Sequence, residues 1–501
     1  MDTLGPTRTS SDVPPSRDRS CPSCVALVLL GLCVACGPDE AKVPDEVGAS
    51  DSENPETEEE SGCSEACVDL PDEGDGDGEA ESEGDGDGDS WNCEDTNSCD
   101  WLDLLIVVDS SSTMAEEQLN VARNFAAIPE FIDQILHPED GERIYTNIHI
   151  MVTSADVGHA LCEGSPTPGA PVSSACLDRL DDFVLGEGDS ALDLSEACTS
   201  VCPDPIAPNG DYIRYDEQGT NVPGNDIGKA LSCLGPQGVR GCEYEAPLEA
   251  MLAALDPEAP WNQGPEPFLR EHAPTLGIML ITDEPDCSTT PEGMAAFTDP
   301  ANDADWEVDP QTGMKAPSSA ICWNAGSECG ALNMDGQYPG CELEDSGVLY
   351  PVSRYIDDLR ARFEDPRRTV IMLPVVGVPL VTAYNPDVPF NPSAGGIMDL
   401  VYRPWMDGVF PAGDLLPDDA DSAADKQFEF GIGPGCTGLD PMGEVLGQAT
   451  PPLRMTRVCR ALDSQEELRC CIDSICSEDF SRITTCLTPS IQTLLEPVET
   501  D

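Results

Sequence analysis

The stretch Leu102-Asp-Leu-Leu-Ile-Val-Val108, followed at once by Asp109-Ser-Ser-Ser-Thr-Met114, decides the fold class. Six of its seven residues are aliphatic, so both faces of an extended chain are apolar. That pattern predicts a central strand of a parallel sheet, covered on both sides. The polar run after it predicts a loop at the strand's carboxyl end. An amphipathic helix is predicted next, from the spacing of Leu119, Ala122, Phe125, Ala126, Phe131, Ile132 and Ile135, with a break at Pro129.

Three more apolar runs repeat the first. They are Asn147–Thr153, Leu276–Thr282 and Thr369–Gly377. Helices are predicted over Pro247–Leu255 and Tyr350–Phe363. The C-terminal stretch Leu453–Leu495 reads as helical and cysteine-rich. Strands alternating with helices predict an α/β fold with a doubly wound, mostly parallel sheet flanked by helices. Two long Cys-rich insertions interrupt it, at about 155–235 and 286–345.

The chain has 501 residues, with 24 basic against 96 acidic side chains and a net charge of −72. Nucleic acid is excluded as a natural partner, because a phosphate backbone requires a basic footprint. The 24 cysteines point to disulfides in an oxidising compartment. His137, His149, His159 and His272 are the only histidines, too few and too scattered for zinc.

The N-terminus reads as an export signal. Arg8, Arg17 and Arg19 precede the apolar run Val25–Ala35, which is too short to span a bilayer. Val34-Ala35-Cys36-Gly37 resembles a bacterial lipobox, with Cys33 where leucine is usual. Residues 1–36 are therefore expected to be a lipoprotein signal with Cys36 lipidated. Export and a lipid anchor in the cell envelope are expected, with the outer membrane as destination. Residues 37–100 are expected to be a disordered acidic tether, because runs such as Gly84-Asp-Gly-Asp-Gly-Asp89 bury no core. An EF-hand reading from Asp85 fails: position six is Ser90 and position twelve is Thr96.

In an open α/β sheet, ligands sit beyond the carboxyl ends of the strands. Two polar segments lie there: Asp109-Ser-Ser111-Ser-Thr113 and Thr282-Asp283-Glu284. One carboxylate and two hydroxyls on a single loop suit a hard divalent cation and leave positions open for another ligand. Helix capping is the plainer role for Ser111 and Thr113, and a loop-organising role is the plainer one for Asp156.

Together these segments resemble the metal-ion-dependent adhesion site of the von Willebrand factor A (VWA) family. The match runs through Val108–Met114, Gly241-Cys-Glu-Tyr-Glu245, Thr282–Cys287 and Ser474–Phe480, spanning about 101–495 as one VWA-like domain. The resemblance implies a cation, Mg2+ or Ca2+, held by Asp109, Ser111 and Thr113, with Asp283 acting through water. It also implies a threonine from an intermediate loop. Two alignments remain open: Thr220, which completes the set, or Val239, which has no oxygen. The implied partner is a protein or other carboxylate-bearing ligand that completes the metal's shell. No enzyme is expected, because no G-x-S-x-G elbow follows a strand. A disulfide-braced structural scaffold is the alternative.

Overall fold

The computed structural model describes residues 101–480, apart from 116, 126–146, 163, 165, 187–190, 217, 363–367, 386–391, 418–420 and 465–467. The signal, Cys36, the tether, Pro129 and the end of the chain lie outside the described residues.

Seven strands form the central sheet. In chain order they are β1 (Trp101–Val108), β2 (Asn147–Ser154), β3 (Ile213–Asp216), β4 (Gly219–Thr220), β5 (Thr275–Ile281), β6 (Thr369–Val376) and β7 (Asp473–Ser474). Their spatial order is β7-β6-β5-β1-β2-β3-β4. The pairings from β7 to β2 are all parallel. β3 and β4 continue the sheet antiparallel at one edge. The mixed α/β class and mostly parallel sheet match expectation. The first insertion also supplies the two edge strands.

β1 sits at the centre of the sheet and shows why it must. Leu102, Leu104, Ile106 and Val108 join one core, while Leu105 and Val107 join the other. Successive side chains of a strand point to opposite faces, so an unbroken aliphatic run fills two cores. Helices α1 (Glu117–Phe125) and α2 (Ile227–Leu234) cover the first face through Val121, Phe125, Leu231 and Leu234. Helices α3 (Pro247–Ala254), α4 (Val352–Arg362) and, farther along the chain, Leu453–Arg460 cover the second. Gly277 of β5 leaves room for Leu104: a Cβ there would stand 2.9 Å from Leu104 Cδ1, which would have to shift.

The C-terminal expectation needs correction. Among the described residues after 452, only Leu453–Arg460 forms an α-helix. The chain then runs back as β7 beside β6. Asp473 and Ser474 pair with Val375 and Val376, so this segment closes the sheet's edge. The apolar residues of 453–476 are thus spent on a helix and a strand.

The cysteines serve as cross-links. Seven bridges join Cys162–Cys242, Cys176–Cys198, Cys202–Cys233, Cys287–Cys322, Cys329–Cys341, Cys436–Cys476 and Cys459–Cys470. Cys471 is also disulfide-bonded. The sulfurs of Cys176, Cys198 and Cys202 crowd within 4.8 Å of one another, a spacing that would suit a metal. All three belong to bridges and present no thiolate.

One aspartate interrupts the aliphatic run of β1. Asp103 is buried at the amino end of the sheet. It accepts bonds from Arg270 N at 2.8 Å and Arg270 Nε at 2.7 Å. Arg270 also donates to Leu102 O and Asn147 Oδ1 and lies over the Trp101 ring. Burial raises the Asp103 carboxyl above its ordinary value, and Arg270 pulls it back. Removing one partner strands the other charge in the core. Asp103→Ala is therefore expected to lose about 3–5 kcal/mol of stability. Non-reducing guanidinium unfolding checks this, and Asp103→Leu with Arg270→Met is expected to recover most of the loss.

Candidate functional site

The site forms where β1 and β5 end side by side. Asp109 N still donates to Ile281 O at 2.9 Å, so the Asp109 side chain leaves the sheet at its last rung. Asp109 is fully buried. Its Oδ1 accepts from Ser111 N at 2.8 Å and its Oδ2 from Thr282 Oγ1 at 2.5 Å. Burial raises this carboxyl above its usual range, the two donors oppose the rise, and Glu243 adds to it.

Ser111 and Thr113 lie at the start of the 3-10 turn Ser112–Ala115, with their hydroxyls directed into the site. Ser111 Oγ and Thr113 Oγ1 are 2.8 Å apart, and Thr113 Oγ1 donates to Glu284 Oε1 at 3.0 Å. Thr113 has one hydroxyl hydrogen, and Glu284 takes it. The Ser111 hydroxyl lies between Thr113 Oγ1 and the Asp109 carboxyl, which it also bonds. Three oxygens thus stand in a row, from Ser111 through Thr113 to Glu284. Glu284 N in turn donates to Thr282 Oγ1 at 3.1 Å, which ties this row back to Asp109.

Glu284 is the residue that sequence reasoning missed. The chain bends just past β5, at Asp283 and Glu284, and brings Thr282 and Glu284 to two parts of the same site. Thr282 reaches Asp109 and Glu284 reaches Thr113. Asp283, the residue expected from the family pattern, is 3% exposed. Its carbonyl accepts from Thr450 N and Oγ1, and the residue lines a neighbouring cavity with Ser112 and Thr113. Burial, with Asp283, Asp109 and Glu243 nearby, lifts the Glu284 carboxyl well above its ordinary value.

The intermediate loop arrives from the segment before α3. Gly241 N donates to Ser110 O at 2.7 Å. A Cβ on Gly241 would collide with Ser110 Oγ, so only glycine permits this approach. Beyond it, Glu243 Oε1 accepts from Ser112 N at 3.4 Å. Glu245 Oε1 accepts from both Ser110 N and Ser110 Oγ at 3.0 Å. Carboxylates, not a threonine, come to the site from this loop. The disulfide Cys162–Cys242 anchors it to the segment after β2. Asp156 accepts from Gly158 N and Cys242 N, which makes it an organiser of that junction.

Neither aligned residue supplies the missing hydroxyl. Thr220 is a correction: it pairs with Tyr215 at the sheet's antiparallel edge. Tyr215 pairs with Ile148, near the start of β2. Thr220 therefore shares a cleft with Trp101 and Asn147, the first residues of their strands, at the opposite end of the sheet from Asp109. The local likeness of Gly219-Thr-Asn221 carried no information about which end of the sheet it reaches. Val239 is buried, and its backbone N donates to Asp182 O.

The oxygens available to a hard cation come from two segments, the hydroxyls of the 110–113 loop and the Glu284 carboxyl after β5. Two neighbouring ligands of an octahedral Mg2+, each at about 2.1 Å, stand about 3 Å apart. Ser111 to Thr113 and Thr113 to Glu284 have that spacing, at 2.8 and 3.0 Å. Among the described residues, no three carboxylate or imidazole ligand atoms lie within 4.8 Å of one another. The fit is thus two hydroxyls with Glu284, backed by Asp109, rather than a carboxylate cage. The cavity lined by Ser112, Thr113 and Asp283 supplies an approach.

No known protein family and no curated protein matches this chain. One solved structure is similar in part, the pilus adhesin RrgA from Streptococcus pneumoniae. The match has a TM-score of 0.21 and 12% identity, and it covers 55% of this chain and 39% of that one. A superposition that loose carries no argument about fold or role.

Glu245 gives a direct test of the electrostatics. Burial first, then Asp109 and Asp156, raise its carboxyl well above 4.5. A raised carboxyl favours the folded state below its ordinary value, and that advantage disappears as pH rises through the folded value. In chelator, the melting temperature of the chain is expected to fall as pH rises from about 4.5 toward neutrality. Glu245→Gln is expected to flatten that fall. An unchanged slope in the variant, measured by calorimetry across pH, counts against this account.

Proposed function

We propose that this chain is a non-catalytic binding protein of the cell envelope. In this reading it holds a divalent cation, Mg2+ or Ca2+, at the end of β1 and offers it to a carboxylate on a protein or other partner. Ser111, Thr113 and Glu284 are the proposed direct ligands. Asp109, Asp283 and Glu243 are the acidic surround that orients them and favours positive charge. The observation that carries the reading is the row of oxygens Ser111, Thr113 and Glu284 at 2.8 and 3.0 Å. It stands beside a fully buried Asp109, at the sheet end where α/β folds bind ligands.

Charge explains what a cation adds. A surface at −72 repels an acidic partner, and a bound cation supplies the local attraction the surface lacks. The VWA-like domain with its adhesion-type site is the fold-level form of the same reading. Lipidation at Cys36, the acidic tether and an outer-membrane anchor are its proposed setting, and the cross-linked cysteines suit an oxidising compartment.

One observation favours a scaffold instead. The loop's polar groups are bonded within the protein: Ser110 to Glu245, Ser111 to Thr113, and Thr113 to Glu284. A site that satisfies itself does not need a metal. Calorimetric titration of the full chain with Mg2+ and Ca2+ separates the two. Saturable heat is expected, weakened about 10–100-fold by Asp109→Ala and by Thr113→Val. No heat and no rise in melting temperature with either ion leaves the scaffold.

A further inference from the structure

The bridge Cys162–Cys242 is set apart from the others by where it lies. Among the bridges joining described residues, five are made of buried cysteines alone. Cys162 and Cys329 are half-buried. Cys162 also follows two exposed residues, Ala160 and Leu161. Of the two bridges with a half-buried cysteine, Cys162–Cys242 is the one that ends beside the cation loop. Cys242 comes directly after Gly241, whose N donates to Ser110 O at 2.7 Å.

Cys242 sits in a junction between residues 155–162 and 242–246. Ala246 N donates to Ala155 O at 3.0 Å, and Cys242 N donates to Asp156 Oδ2 at 3.2 Å. Tyr244 stacks on His159 with centroids 4.3 Å apart. The S–S bond is the covalent member of this junction, and it holds together groups that repel. Glu245 stands close enough to Asp109 and Asp156 for each to raise its carboxyl, and Glu243 does the same to Asp109. Like charges brought together cost free energy, and the bond opposes the separation that repulsion favours.

The sulfur chemistry has a preferred direction. Exchange begins when a thiolate attacks one sulfur, and it runs faster when the other sulfur leaves easily. Tyr244 N donates to Cys242 Sγ at 3.4 Å, so a thiolate released there meets an N–H already in place. Cys162, on the half-buried side, is the end to be attacked.

We propose that Cys162–Cys242 is a redox switch on the cation site, opened by a protein dithiol of the C-x-x-C type. The proposal rests on the cation reading and adds its regulation. One thiolate of the dithiol attacks Cys162 Sγ, the bridge breaks, and Cys242 leaves as a thiolate that takes up a proton. The second thiolate attacks the dithiol's own sulfur in the mixed disulfide, and Cys162 leaves and is protonated in turn. The dithiol is oxidised to a disulfide, the bridge is reduced to two thiols, and the dithiol's two protons end on the cysteines. With the bridge open, the 241–245 segment draws back from Ser110 and Ser112. Glu243 and Glu245 leave the acidic surround, and the site holds a cation less tightly.

The test uses the full chain, titrated with dithiothreitol and quenched with iodoacetamide, with labelled cysteines read by mass spectrometry. Cys162 and Cys242 are expected to label at about tenfold less dithiol than the five buried bridges. At that dose, hydrogen exchange at Gly241 N is expected to quicken about tenfold. Mg2+ affinity, read by calorimetry, is expected to fall about tenfold. Reoxidation is expected to reverse both changes. Cys162→Ala with Cys242→Ala is expected to show the weaker affinity without dithiol and no further change with it. Cys329→Ala with Cys341→Ala is expected to respond as the unsubstituted chain does. Labelling of the buried bridges at the same dose overturns the switch. So does an opened bridge that leaves Gly241 exchange or Mg2+ affinity unchanged. Faster Gly241 exchange on opening, in a chain that gives no Mg2+ heat even when oxidised, overturns the cation reading and keeps the redox-released loop.

Discussion

Asp109 places a carboxylate at the last rung of a strand buried on both faces, and the site is organised around that difficulty. Its desolvation is offset by donors from two directions, the amide of Ser111 and the hydroxyl of Thr282. Each donor fixes a segment. The amide bends the chain into the 110–113 loop, and the hydroxyl holds the end of β5 beside it. Glu284 follows two residues after Thr282 and so meets Thr113. The hydroxyl row is a consequence of bringing Asp109 into the core, as much as a feature in its own right.

Acidic groups then accumulate with little local compensation. Glu243 and Glu245 come in on a loop that approaches only because residue 241 is glycine. Asp109, Glu245 and Glu284 are each pushed toward their protonated forms by burial and by one another. At the opposite end of the sheet, Asp103 meets the same burial with Arg270 beside it. One buried acid has an arginine partner and the other cluster has hydroxyls and amides.

Much of the architecture was legible because β1 is aliphatic on both faces and three further strand-like runs alternate with helical ones, a pattern that points to a covered parallel sheet. Asp109, Ser111 and Thr113 were legible because they follow such a strand directly. The rest depended on long-range geometry. Thr220 looked right in its own loop, but edge strands β3 and β4 run antiparallel and carry it to the wrong end. Glu284 was hidden by attention to Asp283, because the bend after β5 that turns it toward Thr113 leaves no mark in the sequence pattern. Around Asp473 and Ser474 the chain is a strand instead of a helix because the edge of β6 offers backbone partners at Val375 and Val376.

The bridge between Cys162 and Cys242 spans 80 residues and ends one residue after the glycine that touches Ser110. Most of the first insertion is therefore a closed covalent loop hung from the site. A protease that cuts once within it opens the chain without releasing either end. The 241–245 segment stays tethered to the junction after β2 and keeps its neighbours. The insertion is thus expendable as continuous chain, while the 241–245 loop stays covalently held.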